Sequence, residues 1–397
     1  MKKNVIAYCI LAVFLSLFFI YTVWFNFTHT YSADEDAANH MSYVKGKVVE
    51  VTDERLSPDS YRHDAYVGEQ DVNIKILKGK HKGETVSATN YVSTTHHIFL
   101  TIGETVMVGI DDSGTNDVHY YIFQYYRLTQ IYILISIFIL IILIIGRKKG
   151  IMTVLALAFA VYTLVAFTIP LVYNGSSPII IGILTVAIIT TFTLVLLNGI
   201  SKKTMSAIIS TASGVLLSGV IYAVFSASMH VNGYNISESD AVLAISQSHG
   251  LKIYHLMFTG ILIASLGAVM DVAMSITSSL NEMIAVAENV SRKRLFTAGL
   301  NIGKDMIGTM TNTLILAFAG GSFINLIIYA AYNMSYVQLM TSDFIVIELL
   351  QGISSTAAVV LTVPITSFTA SCILLTDTEL QNDNINNSNG GIKCENQ

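Results

Sequence analysis

From Ile131 to Leu375 the chain is a succession of apolar runs about 20 residues long, separated by short polar gaps. At 1.5 Å rise per residue such a run crosses a hydrocarbon core of about 30 Å as a helix. The runs lack the alternation of a membrane barrel, so helices are the way to satisfy their backbone in lipid. They lie at 129–145, 151–173, 178–198, 205–229, 252–277, 307–331 and 353–375. Ahead of them, residues 4–25 (NVIAYCILAVFLSLFFIYTVWF) carry no charge and follow Lys2 and Lys3. That run exceeds the apolar stretch of a signal peptide, and Tyr31-Ser32-Ala33 is a poor cleavage site. It reads as an uncleaved first helix, giving about eight transmembrane helices.

Composition agrees with this. Only 12% of residues are charged and 53% are apolar, whereas a soluble domain carries roughly 25% charge. An ordinary soluble enzyme is excluded, and a net charge of −5 argues against a nucleic-acid partner. Cys9, Cys372 and Cys394 are too few and too scattered for a disulfide scaffold or a cysteine-rich metal site.

Charge placement orients the spans. With the N-terminus inside, the inner segments carry Lys2, Lys3, Arg147, Lys148, Lys149, Lys202, Lys203, Arg292, Lys293, Arg294 and Lys304, eleven basic residues against Lys252 alone in the short outer loops. The positive-inside rule therefore predicts both termini in the cytoplasm.

Residues 32–127 differ in kind. They hold 15 of the 27 acidic residues and 9 of the 22 basic ones. Short β-rich runs at 43–51, 71–77, 84–92, 97–102, 104–110 and 118–126, broken at GKHKG (79–83) and DDSGTND (111–117), predict a small barrel or sandwich outside the membrane. The expected organisation is an anchor at 1–31, an extracytoplasmic β-rich domain at 32–127, a seven-helix membrane domain at 128–376 and a polar, disordered cytoplasmic tail at 377–397.

Two stretches strain this drawing. Residues 343–375 are too long for one span and include Glu348, Gln351 and Pro364, so a re-entrant or interfacial segment near 343–352 leading into the last helix is expected. Residues 278–300 are too polar to span. They read as an amphipathic helix along the inner surface or as a plain loop.

Ionisable groups inside spans are costly and call for a partner, water or a function. Asp271 lies well inside the sixth span, and Ser275, Ser278 or Ser279, and Glu282 continue its stripe at helical spacing. Asp305, Thr309 and Asn312 recur at i, i+4, i+7 in the seventh, and Glu348, Gln351 and Ser355 follow in the last. These residues are candidates for a solute or ion path, or for packing seams. Small residues at Ala207, Ser210, Gly214, Ser218, Gly219, Gly260, Ser265 and Gly267 predict close helix contact. Gly320-Gly321 marks a break or a packing notch.

Enzyme signatures such as GxxxxGK[ST], HExxH, GxSxG and CxxC are missing. An Asp271/Asp305 protease dyad is disfavoured by mismatched depth. His96 and His97 point to opposite sides of a strand, His249 and His255 read as interfacial residues, and DDSGTND lacks the glycine and glutamate of a calcium loop. No catalytic residue, metal or cofactor is expected.

The segments LGAVMDVAMSITSSLNEM (266–283), GKDMIGTMTNTLILAFAG (303–320) and LLQGISSTAAVVLTVPITSFTA (349–370) resemble the YibE/F-like family of bacterial multi-pass membrane proteins. The resemblance covers most of the chain, with one departure at Ser354-Ser355-Thr356. It implies an integral protein of the bacterial cell membrane, of a kind labelled permease-like and without a substrate to carry over. It also falls on Asp271, Asp305, Thr309, Asn312 and Glu348.

The expected fold is a polytopic α-helical membrane protein, with a small mainly-β extracytoplasmic domain between helices 1 and 2. The expected function is passage of a small solute or ion along Asp271, Ser275, Asp305, Thr309, Asn312 and Glu348. The alternative is a non-transporting scaffold or sensor whose outer domain binds an envelope partner, with Tyr120, Tyr121, Tyr125 and Tyr126 as contacts or, more simply, as an aromatic belt at the membrane interface. Expected partners are the lipid bilayer, the solute, and an envelope protein or a second copy.

Overall fold

The computed structural model describes residues 2–29, 41–60, 65–112, 118–231, 253–287 and 290–375, with side chains of the first helix from Val13 onward. Contacts divide the chain into two compact units, Ser32–Ile145 and the combination of Met1–Tyr31 with Gly146–Gln397. Residues 113–117 of the DDSGTND turn, His249 and the tail at 377–397 fall outside the described residues.

The first unit opens with a closed five-stranded barrel of order β1-β2-β3-β5-β4. Its strands are β1 (Met41–Pro58), β2 (Tyr66–Ile76), β3 (Thr85–Val92), β4 (Thr105–Asp111) and β5 (His119–Tyr125). β1 is long enough to pair antiparallel with β4 through its first half and with β2 through its second. Register shifts after Val48 and Val51 supply the bend that closure needs. A short parallel contact of β3 with β5, Thr89 opposite Tyr121, completes the ring. This is a five-stranded Greek-key barrel of the OB type. Alternate residues of β2 point inward, so Val72, Ile74 and Ile76 join Val48, Val106 and Val108 in a core of its own.

The sixth expected strand, 97–102, does not form. Two buried amides hold this segment instead. Gln70 accepts from Leu100 N (2.9 Å) and donates to Leu100 O (3.1 Å), while Asn90 donates to Ile98 O (2.6 Å) and to Gln70 Oε1 (3.1 Å). Side chains thereby do what a neighbouring strand would do for the backbone of 98–100.

The second unit is helical. Its elements are α1 (Lys2–Thr28), the later part of α2 (Leu128–Thr163), a π-turn (Leu164–Thr168), α3 (Ile169–Tyr173), α4 (Pro178–Asn198), α5 (Lys202–Ser228), α6 (Ile253–Val286), α7 (Arg292–Gly321), α8 (Phe323–Ala331), α9 (Tyr336–Thr341) and α10 (Asp343–Leu374). Five described helical runs are long and apolar enough to cross a membrane, and α7 with α8, bent by 57°, makes a sixth. One of the five is the 46-residue run Leu128–Tyr173, about 69 Å at 1.5 Å per residue. It is broken at Arg147 (φ 47°, ψ −124°), between the two apolar stretches.

The π-turn has a local cause. Pro170 brings no N–H, so the carbonyl of Ala166 loses its helical partner. Asn26 of α1 donates to that oxygen at 2.8 Å. Thr22 bonds the Tyr162 hydroxyl, and Phe18 packs among Phe167, Leu171, Val172 and Ile181. The first helix is thus packed into the helical unit.

α10 is the centre of the bundle, packed against α5, α6 and α7. Two expectations are corrected here. Residues 278–300 are not one surface helix: α6 runs on to Val286 and α7 starts at Arg292, capped by Ser291, whose hydroxyl accepts from Arg294 N at 3.3 Å. Residues 343–352 are not a separate segment either, because α10 is continuous from Asp343 through Pro364 to Leu374. Pro364 sits on an exposed side of the helix. The short pieces fall earlier, as α8 and α9.

Candidate functional site

Asp271 lies on α6 between Met270 and the buried pair Val272 and Ala273, yet its own side chain is exposed. The buried stripe of α6 runs through Ile261, Leu262, Ser265, Leu266, Val269, Val272, Ala273, Ile276 and Leu280. Asp271 stands on the other side, in line with Gly260, Ala264 and Gly267. At both glycines the space a Cβ would take is open within 4 Å. These two therefore do not mediate the close helix contact expected of them. Ser275 continues the line half-buried, and Ser278 accepts a hydrogen bond from Lys203 Nζ at 3.1 Å. Glu282, exposed, ends it.

On α7, Asp305, Thr309 and Asn312 are all exposed. The face that α7 buries carries Leu295, Gly299 and Gly303. Asn301 and Gly308 belong with the exposed group, and Asn301 was not singled out from the sequence. Its signal was available in the spacing of positions 301, 305, 308 and 312, which keeps one face of a helix.

Glu348 is half-buried and lines a hollow of about 440 Å³ in the bend between α7–α8 and α9–α10. Its neighbours there are apolar, among them Ile315, Phe318, Leu326, Leu339 and Ile345. Asp271, Asp305, Thr309 and Asn312 do not line this hollow. The expected path residues thus occupy three places: an exposed line on α6, an exposed line on α7, and the hollow at Glu348.

The interior of the bundle is lined by hydroxyls instead of carboxylates. Ser206, Ser210, Thr211, Ser354, Ser355, Thr362 and Thr366 are buried. All of these except Thr362, which donates to Ala358 O at 2.7 Å, lack a side-chain hydrogen-bond partner among the described residues. On α5 the order Ser206, Ser210, Gly214, Ser218 repeats every four residues and meets α10 and α6. Ser218 and Ser265 share a hydrogen bond of 3.0 Å. Here the small-residue reading holds: a Cβ on Gly214 would run into the Thr362 side chain.

In the barrel, Tyr125 donates to Phe99 O and accepts from Phe99 N at 3.0 Å. Tyr126 lies under Lys45 Nζ at 4.5 Å. Tyr121 covers Gly109, where any side chain would meet its ring, and donates to the Tyr43 hydroxyl at 3.3 Å. That hydrogen bond, with partial burial, pushes the Tyr121 phenol up to about 12. Because Tyr121 is the donor, the bond holds its proton. Tyr43→Phe removes the acceptor, and the Tyr121 ionisation followed by absorbance near 295 nm is expected to move to lower pH. Among the described residues no group of three His, Cys, Asp or Glu could hold a metal ion.

Comparison with known proteins gives two matches. Residues 134–376 match the model of the YibE/F-like protein, and residues 39–125 match the YibE/F family N-terminal domain. Neither a curated protein nor a solved structure matches the chain.

Proposed function

The chain belongs to the YibE/F-like family, and from that premise we propose that this membrane protein is permease-like, moving a small solute or ion through its helical unit without catalysing a chemical step. The observation that carries this reading is Asp271. It stands in an apolar helix, on the exposed side that it shares with Gly260 and Gly267. A carboxylate near the bilayer centre costs roughly 2.5–3.5 kcal/mol on insertion scales. A cation, a proton or water beside it relieves that cost, and the space along this side is open at Gly267, one turn away. Ser275, Ser278 and Glu282 extend the line toward the basic end of the span, where Lys202 and Lys203 lie. Asp305, Thr309 and Asn312 offer a second polar line, and Glu348 a carboxylate in a hollow of its own.

The proposed topology has eight spans. It counts α1, the two halves of the run broken at Arg147, α4, α5, α6, the bent α7–α8 pair and α10. Both termini lie in the cytoplasm of a bacterium, with the barrel outside, as the eleven inner basic residues favour.

The test is flux in proteoliposomes, screened across protons, simple cations and small anions. Asp271→Asn keeps shape and removes the charge. It is expected to lower flux at least tenfold at unchanged reconstitution yield and thermal midpoint, with Asp271→Glu retaining part of the activity. Equal flux in native protein and Asp271→Asn overturns the role of Asp271.

A second reading is favoured by the barrel surface, where Tyr43 (48% exposed) and Phe123 (41% exposed) lie ring to ring at 4.8 Å. Exposed aromatic pairs of this kind are common at binding surfaces. In this reading the protein is a scaffold or sensor, and the soluble 32–127 fragment binds an envelope partner by itself.

A further inference from the structure

Between Asn301 and Asn312, around the inner end of the span, the side of α7 that faces away from its own bundle is polar, and it turns apolar at Ile315 and Leu316. Gly299 and Gly303 press α7 against Ser367 and Val363 of α10. Half a turn round from Gly299 stands Gly308. Asn301, Asp305, Gly308 and Asn312, all exposed, follow one another at intervals of four, three and four residues. This spacing is that of the seam of a paired helix, in which an asparagine at a core position fixes register and partner number. Gly308 has open space where its Cβ would stand, which lets a second backbone approach closely. Lys304 and Thr309, also exposed, flank the stripe.

We propose that this face of α7 is the interface of a homodimer, formed by the same face of a second copy of the chain. Its chemistry is self-complementary. A carboxamide both donates and accepts, so Asn312 can bond Asn312 of an identical helix, and Asn301 likewise. Two copies inserted with the same orientation are related by a two-fold axis along the membrane normal. Their α7 helices are then parallel, and each residue meets its equivalent at equal depth. In that arrangement the Lys304 ammonium of one copy flanks the Asp305 carboxylate of the other, and the pair recurs through the symmetry. An apolar lipid chain offers neither the hydrogen bonds nor the counter-charge.

The proposal does not rest on transport, and its test reads association alone. In a full-length background with Cys9, Cys372 and Cys394 changed to serine, Asn301→Cys is oxidised mildly in native membranes. A covalent dimer is expected, with at least a fivefold higher yield than from Leu197→Cys, an exposed position near the end of α4. Adding Lys304→Glu should cut the yield at least threefold, and adding Asp305→Lys to that variant should recover at least half of the loss. Equal yields at 301 and 197 overturn the proposal. So does a charge-swapped variant that keeps the parent's thermal midpoint but stays monomeric, or a cross-link from 301 to a different protein.

Discussion

Replacing Gly303 by alanine is expected to lower the thermal midpoint of the detergent-solubilised protein by several degrees, and replacing it by leucine to abolish the folded helical unit. The reason lies in what the new methyl would meet. Val363 of α10 offers both methyl groups, one of them at 2.9 Å, and its Cβ at 3.0 Å. A clash with a methyl alone could be relieved by turning the side chain. Here both methyls face Gly303, and turning the β-branched side chain always leaves at least one of them facing the new methyl, so α7 must shift off α10. Overpacking of this kind costs about 1–3 kcal/mol, and in a domain of this size each kcal/mol moves the midpoint by about 2–4 °C. One turn earlier, Gly299 is equally pressed, against Ser367 and Leu280, so α7 has little freedom to slide. The check is a double-mutant comparison. Val363→Ala in the Gly303→Ala background removes the two methyls and should recover more than half of the loss, although alone it is destabilising. A Gly303→Ala protein as stable as the native one would show that α7 does not sit on α10 in this way.

The same helix shows what the sequence could and could not tell. Apolar runs of span length were legible because hydrocarbon thickness sets one scale for all of them. So was the β-rich character of 32–127, because alternation and turn residues are local signals. Which side of a span faces protein is a different question, since apolar residues serve lipid and core alike. Gly214 and Gly267 looked equivalent in the sequence, yet one is pressed on Thr362 and the other faces open space. Asp271 and Asn312 were marked as residues the membrane must explain, but their common role as path residues required a meeting place that periodicity cannot supply. Glu348 was found in a hollow with apolar neighbours instead. Of the interior hydroxyls of α10 the sequence singles out Ser355 alone as a candidate, for a related reason. Serine and threonine can bond their own helix, so their presence in a span carries little information until burial is known. Likewise 97–102 has strand composition but no strand neighbour, because Gln70 and Asn90 hold its backbone from inside the barrel.

That last arrangement makes Gln70 the most sensitive polar position of the barrel. Its side chain is fully buried and serves four partners at once: Leu100 N, Leu100 O, the Asn90 amide and Glu54 Oε1 at 2.9 Å. Gln70→Leu conserves much of the volume and removes every one of these bonds. The Leu100 N–H and C=O then stay in the core without partners, and the Asn90 amide keeps Ile98 O but leaves its second N–H unpaired, each at about 1–3 kcal/mol. Hydrophobic gain from the leucine offsets about 1–2 kcal/mol. The net loss lies within about 1–8 kcal/mol and centres on about 4–5 kcal/mol, a large share of the about 5–15 kcal/mol that holds a domain. The barrel has its own closed sheet and its own core, so the measurement can be made on the soluble 32–127 fragment by circular dichroism. At about 4–8 °C per kcal/mol for a domain of this size, the midpoint should fall by more than about 12 °C. Thr89→Ala provides the comparison. Its hydroxyl donates to Asp71 Oδ1 at 2.7 Å on the outer surface, where water replaces the lost bond, and the midpoint should move by no more than about 4 °C. If the two substitutions had equal effects, the backbone of 98–100 would have to be held by something other than these amides. Loss of the clamp is also expected to free the 93–104 connection, seen as faster amide exchange at Ile98 and Leu100 while the β1–β2 ladder remains protected.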